Sequence, residues 1–448
     1  MSLAIGPTLN RNGLVLSLDF QNRKSALPNT SLIDMSAWAA GQTSSVGVYG
    51  ANESTSAENA RVSDTDPFGR TSVVWETRTT GDNNADGGWN TSYMTADKTK
   101  LYRFSVWVRR TSSSSGGTFY FGLYTNGTGN TYLVDTGASQ TNPYWEYRGT
   151  GSLIQNQWYL VVGHLFPYNY ASTAIHPDSG WYTRSGGMTK VSNNAGNVPN
   201  DVRFPSDATS VVHRTYHYYS GDPTVRLQFF DPRIDLCDGN QPSIGELLAK
   251  SPTVWHDTSG FNNHCVWASG AKPAVTTAGY YDFNGTSHYG TITNNSTLDF
   301  STEQTLIMWL YTTSSSGRRN PWNQAYAGYG TWTDEPGGSM SHYMGDGGAD
   351  TSPYTSLGTT FNRNQWYMIA TTRNTSVWRN YSNGLPVTSE TSHTYGVLTS
   401  TAANILVGYG YTGGYFQGRM GAIYAYNRYL SAAEMYQAYN ALRGRYGI

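Results

Sequence analysis

Apolar and polar residues alternate with a period of two in many short runs along the chain, the pattern of strands that bury one face. Residues 13–20 (GLVLSLDF) form the first such run, and a turn-rich segment follows. Further runs are Ser72–Trp75, Leu101–Arg109, Thr118–Tyr124, Gln157–Val162, Ser210–Tyr218 and Thr224–Phe230, separated by Gly, Asn and Ser clusters. Residues 240–252 break the pattern. A short helical turn over Ile244–Ala249, bounded by Pro242 and Pro252, reads as a connector between domains. Strands resume at Tyr280–Phe283, Gln304–Tyr311, Trp366–Thr372, Ser376–Tyr381, Asn404–Gly408 and Arg419–Tyr426. Between them, Thr313–Thr360 is dense in Gly, Tyr and Trp and reads as a long loop, a kind of segment that is often functional.

One helix is predicted near the end of the chain. Ser431-Ala-Ala-Glu434 is a capping box, and Leu430 with Met435 supplies a hydrophobic staple. The helix should run to about Leu442, with Gly444 positioned to end it. Regular strand spacing with almost no helical pattern predicts an all-β fold of sandwich type. The two halves also echo each other: Asn156-Gln-Trp-Tyr159 and Asn364-Gln-Trp-Tyr367 each open an apolar strand, an echo that two related sandwiches would give and that chance would give too.

Composition narrows the function classes. The 448 residues suffice for two or three domains. Lys plus Arg total 29 against 30 Asp plus Glu, with no basic stripe, so neither nucleic acid nor an anionic membrane is an expected partner. No run of about 18 apolar residues exists, so no spanning helix is expected. Only 13% of residues are charged; polarity comes from Ser, Thr, Asn and 49 glycines, beside 35 tyrosines and 14 tryptophans. That mixture suits a broad polar surface of exposed, secreted or virion type. Cys237 and Cys265 read most simply as free thiols from a reducing site of synthesis, with pairing as the alternative. The first residues show neither a basic nor an apolar signal region, so export by a secretory signal is not expected. Assembly into a virus released by lysis is another route to the outside.

The C-terminal half resembles the concanavalin A-like lectin/glucanase superfamily in its laminin-G-like form. The residues behind this are Trp255-His-Asp-Thr-Ser-Gly260-Phe-Asn-Asn-His264, Tyr281-Asp-Phe-Asn-Gly285, Thr305-Leu-Ile-Met-Trp-Leu310, Asn364-Gln-Trp366 with the hairpin around Asn383-Gly384, and the closing Gly418–Glu434 segment. Asn262 stands where the family usually has glycine. The family's opening strand normally lies just before the Trp-x-Asp turn, yet here it matches Gly13–Asp19, over 230 residues upstream of Trp255. An insertion accounts for this. Residues 1–25 plus 250–448 would form one discontinuous sandwich, residues 26–240 an inserted jelly roll, and 241–250 a connector. The insert itself resembles a carbohydrate-binding module, at Pro28–Trp38, Tyr102–Val108 and Val225–Asp235. In this arrangement the chain looks like virion structural proteins of tailed bacteriophages.

The resemblance implies binding rather than catalysis. Glycoside hydrolysis needs two carboxylates across a cleft, and the glucanases' Glu-x-Asp-x-x-Glu strand is absent. The nearest acidic pair, Asp334-Glu335, falls in a Gly-rich stretch read as a solvated loop. His213 and His217, four apart in a strand, are same-face neighbours about 13 Å apart, too far to share a metal. Sugar rings stack their C–H faces on aromatic rings, which makes Trp322, Tyr326, Tyr329, Trp332, Trp181 and Tyr182 the candidate carbohydrate-binding residues. The alternative for these rings is packing at the sandwich rim or between subunits. Both families often hold a structural Ca²⁺ near the ends of the sandwich. Asp235 has motif support, but one carboxylate does not define a site, so no metal is assigned.

The expected function is therefore a non-enzymatic phage virion structural protein (fibre, collar or capsid appendage) on the virion surface. Its expected partners are other virion proteins, copies of itself as a homo-oligomer (a trimer by analogy with threefold appendages), and host glycans. A cellular secreted or surface lectin is the alternative.

Overall fold

The computed structural model describes residues 8–28, 30–184, 189–191, 201–268, 270–276, 278–314, 317–324, 330–335, 339–343, 355–356, 362–387, 391–392, 396–399, 401–410 and 414–448. The chain is nearly all β and divides into two compact units, one of residues 1–27 with 252–448, the other of residues 28–251. Residues 241–250, read from sequence as a connector, fall in the second unit. Their helix, Ile244–Ala249, is capped by a Ser243/Glu246 capping box and sends Leu247 and Leu248 into that unit's core. Burial of two leucines decides the membership of a segment whose flanking prolines suggested a linker. Among the described residues no helix is long and apolar enough to cross a membrane.

The discontinuous unit is a sandwich of two antiparallel sheets. The central strands of the larger sheet are Gln304–Thr312 and Gln417–Tyr426, with Trp366–Arg373 beyond the first. Both faces of this sheet are covered. Leu306, Met308 and Leu310 point into the core between the sheets, while Ile307 and Trp309 pack with Met435, Ala438 and Leu442 of the helix Ala432–Leu442. This explains why Gln304–Thr312 is a nearly unbroken apolar run. The helix begins with the Ser431/Glu434 capping box, Glu434 also being held by Arg428 at 2.6 Å.

The second sheet of this unit contains Cys265–Trp267, Gly290–Ile292, Ile405–Val407, Arg319–Gln324, Gly330–Glu335, Ser339–Tyr343 and Thr355–Ser356. Residues 313–360 are thus not one long loop. Arg319–Gln324 pairs with Ile405–Val407 on one side and Gly330–Glu335 on the other, so the Asp334-Glu335 pair lies on a strand. Cross-strand pairing overrides a composition that reads locally as loop.

The strand Leu14–Asp19 pairs antiparallel with Gln417–Tyr426 and is buried along its length. Asp257, in the Trp-x-Asp turn, fixes it. One carboxylate oxygen accepts the Ser17 amide at 2.8 Å and the Ser259 amide at 2.9 Å; the other accepts the Ser259 hydroxyl at 2.7 Å and the Asn263 amide at 2.9 Å. Where the chain leaves this unit and returns, the His256 amide donates to the Ser25 carbonyl at 2.7 Å. An insert between two hydrogen-bonded positions leaves the host sandwich intact.

The inserted unit is a jelly roll with its own core. One sheet is built around Tyr159–Phe166, Tyr102–Arg110, Arg226–Leu236 and Thr71–Arg78; the other around Tyr144–Gly149, Thr118–Thr125, Ser210–Tyr218 and Ala85–Thr91. Asp235 lies wholly buried at the end of the first sheet, its oxygens bound by Arg103 (2.8 Å), Arg233 (2.9 and 3.1 Å) and Thr30 (2.7 Å). Burial alone would raise its carboxyl, but the two guanidinium groups hold it down at about 2. Guanidinium groups therefore occupy the position that motif support had offered to a cation. Cys237 and Cys265 are both free, and burial pushes the Cys237 thiol up to about 12.

The Asn-Gln-Trp-Tyr echo has a structural counterpart. Asn156 and Asn364 both adopt φ 63°, and each donates its backbone amide to the end of the strand that neighbours the following one in the sheet, at Arg110 and Thr312 respectively. The left-handed turn into an apolar strand is the same in both units.

Two predictions follow from these cores. Asp257→Ala leaves the buried Ser17 and Asn263 amides without their acceptor and should lower unfolding stability by about 2–4 kcal/mol. Urea unfolding of the full chain reads this out, with Asp257→Asn, which keeps one acceptor, falling in between. In the inserted unit, burial pushes His213 down to about 3 and His217 down to about 4. The unfolded chain takes up protons near pH 6.5 while the folded chain refuses them. Stability should therefore be flat above about pH 6.5 and fall as pH drops towards 4, by up to ~1.4 kcal/mol per pH unit for each histidine. Equal urea midpoints at pH 7.5 and pH 5 would contradict this, and His217→Gln should make the slope shallower.

Candidate functional site

The outer face of the smaller sheet of the inserted unit is a surface of tyrosines. In Thr118–Thr125, Phe119, Phe121 and Leu123 enter the core, which turns Tyr120, Gly122 and Tyr124 to the other face. In Ser210–Tyr218, Val211 and His213 face inward, leaving Arg214, Tyr216 and Tyr218 outward. Cross-strand register aligns these residues in rows. Tyr144, Gly122, Arg214 and Asn90 stand opposite one another, and beside them Tyr147, Tyr120, Tyr216 and Gly88.

Arg214 is the centre of the face. Its guanidinium lies 3.5 Å from the Tyr124 ring centroid and 4.6 Å from that of Tyr144. It donates to the Tyr216 hydroxyl at 2.8 Å, the Asn142 amide oxygen at 2.6 Å and the Tyr144 hydroxyl at 2.5 Å. The Tyr216 hydroxyl in turn donates to the Asn90 amide oxygen. Gly122 makes the span possible, because a Cβ there would meet the Pro143 carbonyl at 2.4 Å and the Tyr144 ring at 2.6 Å.

Arg214 and Tyr216 are buried at the base, Tyr120, Tyr124, Tyr144 and Tyr218 are half-buried, and Tyr147 and Tyr219 stand at 57% and 53% exposure. The rings touch in a chain: Tyr144–Tyr120 at 4.9 Å, Tyr120–Tyr218 at 6.0 Å and Tyr218–Tyr219 at 5.4 Å. Tyr219 has φ 64°, uncommon for a bulky residue, and its amide is tied to the Asn84 carbonyl at 2.7 Å. Burial raises the phenol pKa of Tyr120 and Tyr144 above the ordinary value, so both hydroxyls keep their protons at neutral pH. The face offers apolar ring faces, phenol donors and amide groups of Asn142 and Asn52 on a rigid sheet, the chemistry that a sugar ring meets.

The residues singled out from sequence lie elsewhere. Trp322 is 1% exposed, in the core of the discontinuous unit. Trp332 stands opposite it in register, its side chain outside the described residues, as Tyr326 and Tyr329 are altogether. Trp181 is buried, donating to Glu146 at 2.7 Å with the Arg148 guanidinium 4.4 Å over its ring. Tyr182 is buried and donates to the Asp178 carbonyl. Rings sealed in a core present no face to a sugar, so Trp322, Trp181 and Tyr182 are corrected to core residues. Sequence reasoning sought platforms in aromatic-rich loops, whereas Tyr147 lies within a strand and Tyr219 just past the end of one. The signal was the run Phe119-Tyr-Phe-Gly-Leu-Tyr124, amphipathic with aromatics on both faces.

Ser179, His164 and Asp201 are also close, but not as a nucleophilic site. The Ser179 hydroxyl lies 2.7 Å from His164 Nδ1 and donates to Asp201 Oδ1 at 2.6 Å, so the serine proton is directed at the carboxylate and not at the imidazole. All three side chains are buried.

The laminin-G-type family model described as the concanavalin A-like lectin/glucanases superfamily matches residues 284–435. Curated proteins give no match. Among solved structures, the binding domain of Paraclostridial Mosquitocidal Protein 1 is similar at 15% identity and TM-score 0.36, over 42% of this chain and 49% of that one. A structure of botulinum neurotoxin type C, whose cell entry depends on interaction with two ganglioside molecules, is similar at 11% identity and TM-score 0.35, over 43% and 49%. This chain thus spans about half the length of these structures. Over residues 284–435 the fold is that of a lectin-like jelly roll.

Proposed function

We infer that this chain is a non-catalytic carbohydrate-binding protein that holds glycans on the tyrosine face of its inserted jelly roll. The observation that supports this reading most is the Arg214-centred face. Its buried base is held by hydrogen bonds from every guanidinium nitrogen of Arg214, so the arrangement is preorganised, and its rim leaves the rings of Tyr147 and Tyr219 open. We place the protein on the surface of a tailed-bacteriophage virion, docked on other virion proteins as a homo-oligomer, with a trimer as the working stoichiometry. The ordered resemblance from Gly13 to Glu434 and the two free thiols favour this setting over a cellular secreted lectin. Mass spectrometry of purified particles tests the setting: recovery as a free secreted monomer, with none in virions, would favour the lectin.

Glycan binding has its own test. On an array of bacterial surface polysaccharides, Tyr147→Ala and Tyr219→Ala should each weaken binding by about 1–3 kcal/mol. Trp322→Phe, a change within the other core, should leave it unchanged. Both tyrosine variants binding as well as the parent would sink the proposal. No reducing ends should be released in the same incubations.

A further inference from the structure

Beside the turn that carries Tyr219, the chain reads Asp82-Asn-Asn-Ala-Asp86-Gly87. Carboxylate, amide and carboxylate at alternate positions followed by glycine is how calcium-binding loops begin, because such a turn wraps several oxygens around one point. In those loops a glutamate farther along closes the cage. Here the equivalent place in sequence is Tyr93, and a glutamate arrives from another segment. One carboxylate oxygen from each of Glu58, Asp82 and Asp86 lies within 4.8 Å of the others.

The local geometry leaves this cluster without a counter-charge. Asp86 is wholly buried, and its Oδ1 has no hydrogen-bond partner, Oδ2 alone accepting the Ser220 amide at 2.7 Å. The Ser54 hydroxyl sits 3.0 Å from both Glu58 oxygens, 2.6 Å from Asp82 Oδ2 and 3.0 Å from the Ala85 carbonyl, one proton facing four acceptors. The cations of adjoining strands are turned elsewhere: Arg61 lies over the Trp75 ring and Arg78 pairs with Glu76. Gly87, at φ 116°, is required, since a Cβ there would meet the Glu58 carbonyl at 2.4 Å. An unpartnered buried carboxylate oxygen beside two more carboxylates is costly unless a cation sits among them.

We propose that Glu58, Asp82 and Asp86, with the Ala85 carbonyl, form a Ca²⁺ site of the inserted jelly roll. An all-oxygen set from two flexible-geometry segments suits Ca²⁺, which accepts six to eight oxygens, better than Mg²⁺, which keeps most of its water. The site is independent of the glycan reading.

The test is calorimetric titration of CaCl₂ into the full chain stripped with EGTA. One Ca²⁺ should bind per chain, with MgCl₂ at least tenfold weaker. Asp82→Asn and Asp86→Asn should each weaken Ca²⁺ binding at least tenfold, and Asp135→Asn, an exposed change elsewhere, should not. Asp82 is exposed, so its variant decides the matter even if Asp86→Asn does not fold. No calcium uptake by the stripped protein, an unchanged affinity in Asp82→Asn, or Mg²⁺ binding as tight as Ca²⁺ would each overturn the assignment.

Discussion

The pairing of Leu14–Asp19 with Gln417–Tyr426 is the constraint on which the chain's architecture depends. A strand with both neighbouring layers buried has to satisfy every amide within protein, since water cannot reach them. Gln417–Tyr426 supplies one side of the ladder, and Asp257 supplies the acceptor that Ser17 needs beyond it. The carboxylate thus ties its own turn, through Ser259 and Asn263, to Ser17, which lies 240 residues away in sequence. Everything between Ser25 and His256 is then free to be another domain, provided its ends return to the same point.

The inserted jelly roll uses the two faces of one sheet for different ends. Inward positions of Ser210–Tyr218 are committed to packing, down to a histidine whose ring stacks on Trp89 and bonds to Ser105. Outward positions are released from that demand and carry Arg214 and the tyrosines. Tyrosine suits this place because its ring covers apolar surface while its hydroxyl stays hydrogen-bonded. Tryptophan, with more area to remove from water, goes to the core: Trp38, Trp75, Trp89 and Trp107 are all fully buried there.

The all-β class and the terminal helix were legible because period-two alternation and the Ser431/Glu434 box are local signals with one structural meaning, whereas the place of Leu14–Asp19 in the C-terminal sandwich was expected only from the order of the family-like motifs. The strands of residues 313–360 were not, because Gly-, Tyr- and Trp-rich sequence looks like loop until a neighbour such as Ile405–Val407 supplies the ladder. The helix Ile244–Ala249 was found, but its allegiance depended on where Leu247 and Leu248 pack, which no local pattern states. The candidate site was misplaced for a related reason. Counting aromatics finds rings, and Trp322 and Trp181 are rings, yet only register tells which of them face water. Asp235 shows the same limit in charge: the motif marks a carboxylate, and Arg103 and Arg233, distant or adjacent in sequence, decide what it binds.

The discontinuous sandwich also imposes an order of events on the ribosome. Leu14–Asp19 is made about 400 residues, the separation of the two strands in sequence, before its ladder partner Gln417–Tyr426. At about 5–20 residues per second, some 400 intervening residues take roughly 20–80 s. For that interval an apolar strand waits unpaired while the inserted jelly roll, complete by Ser251, has time to fold. A nascent chain of this design leaves an apolar strand without its ladder while those residues are made, the kind of unpaired edge that favours aggregation of incomplete chains.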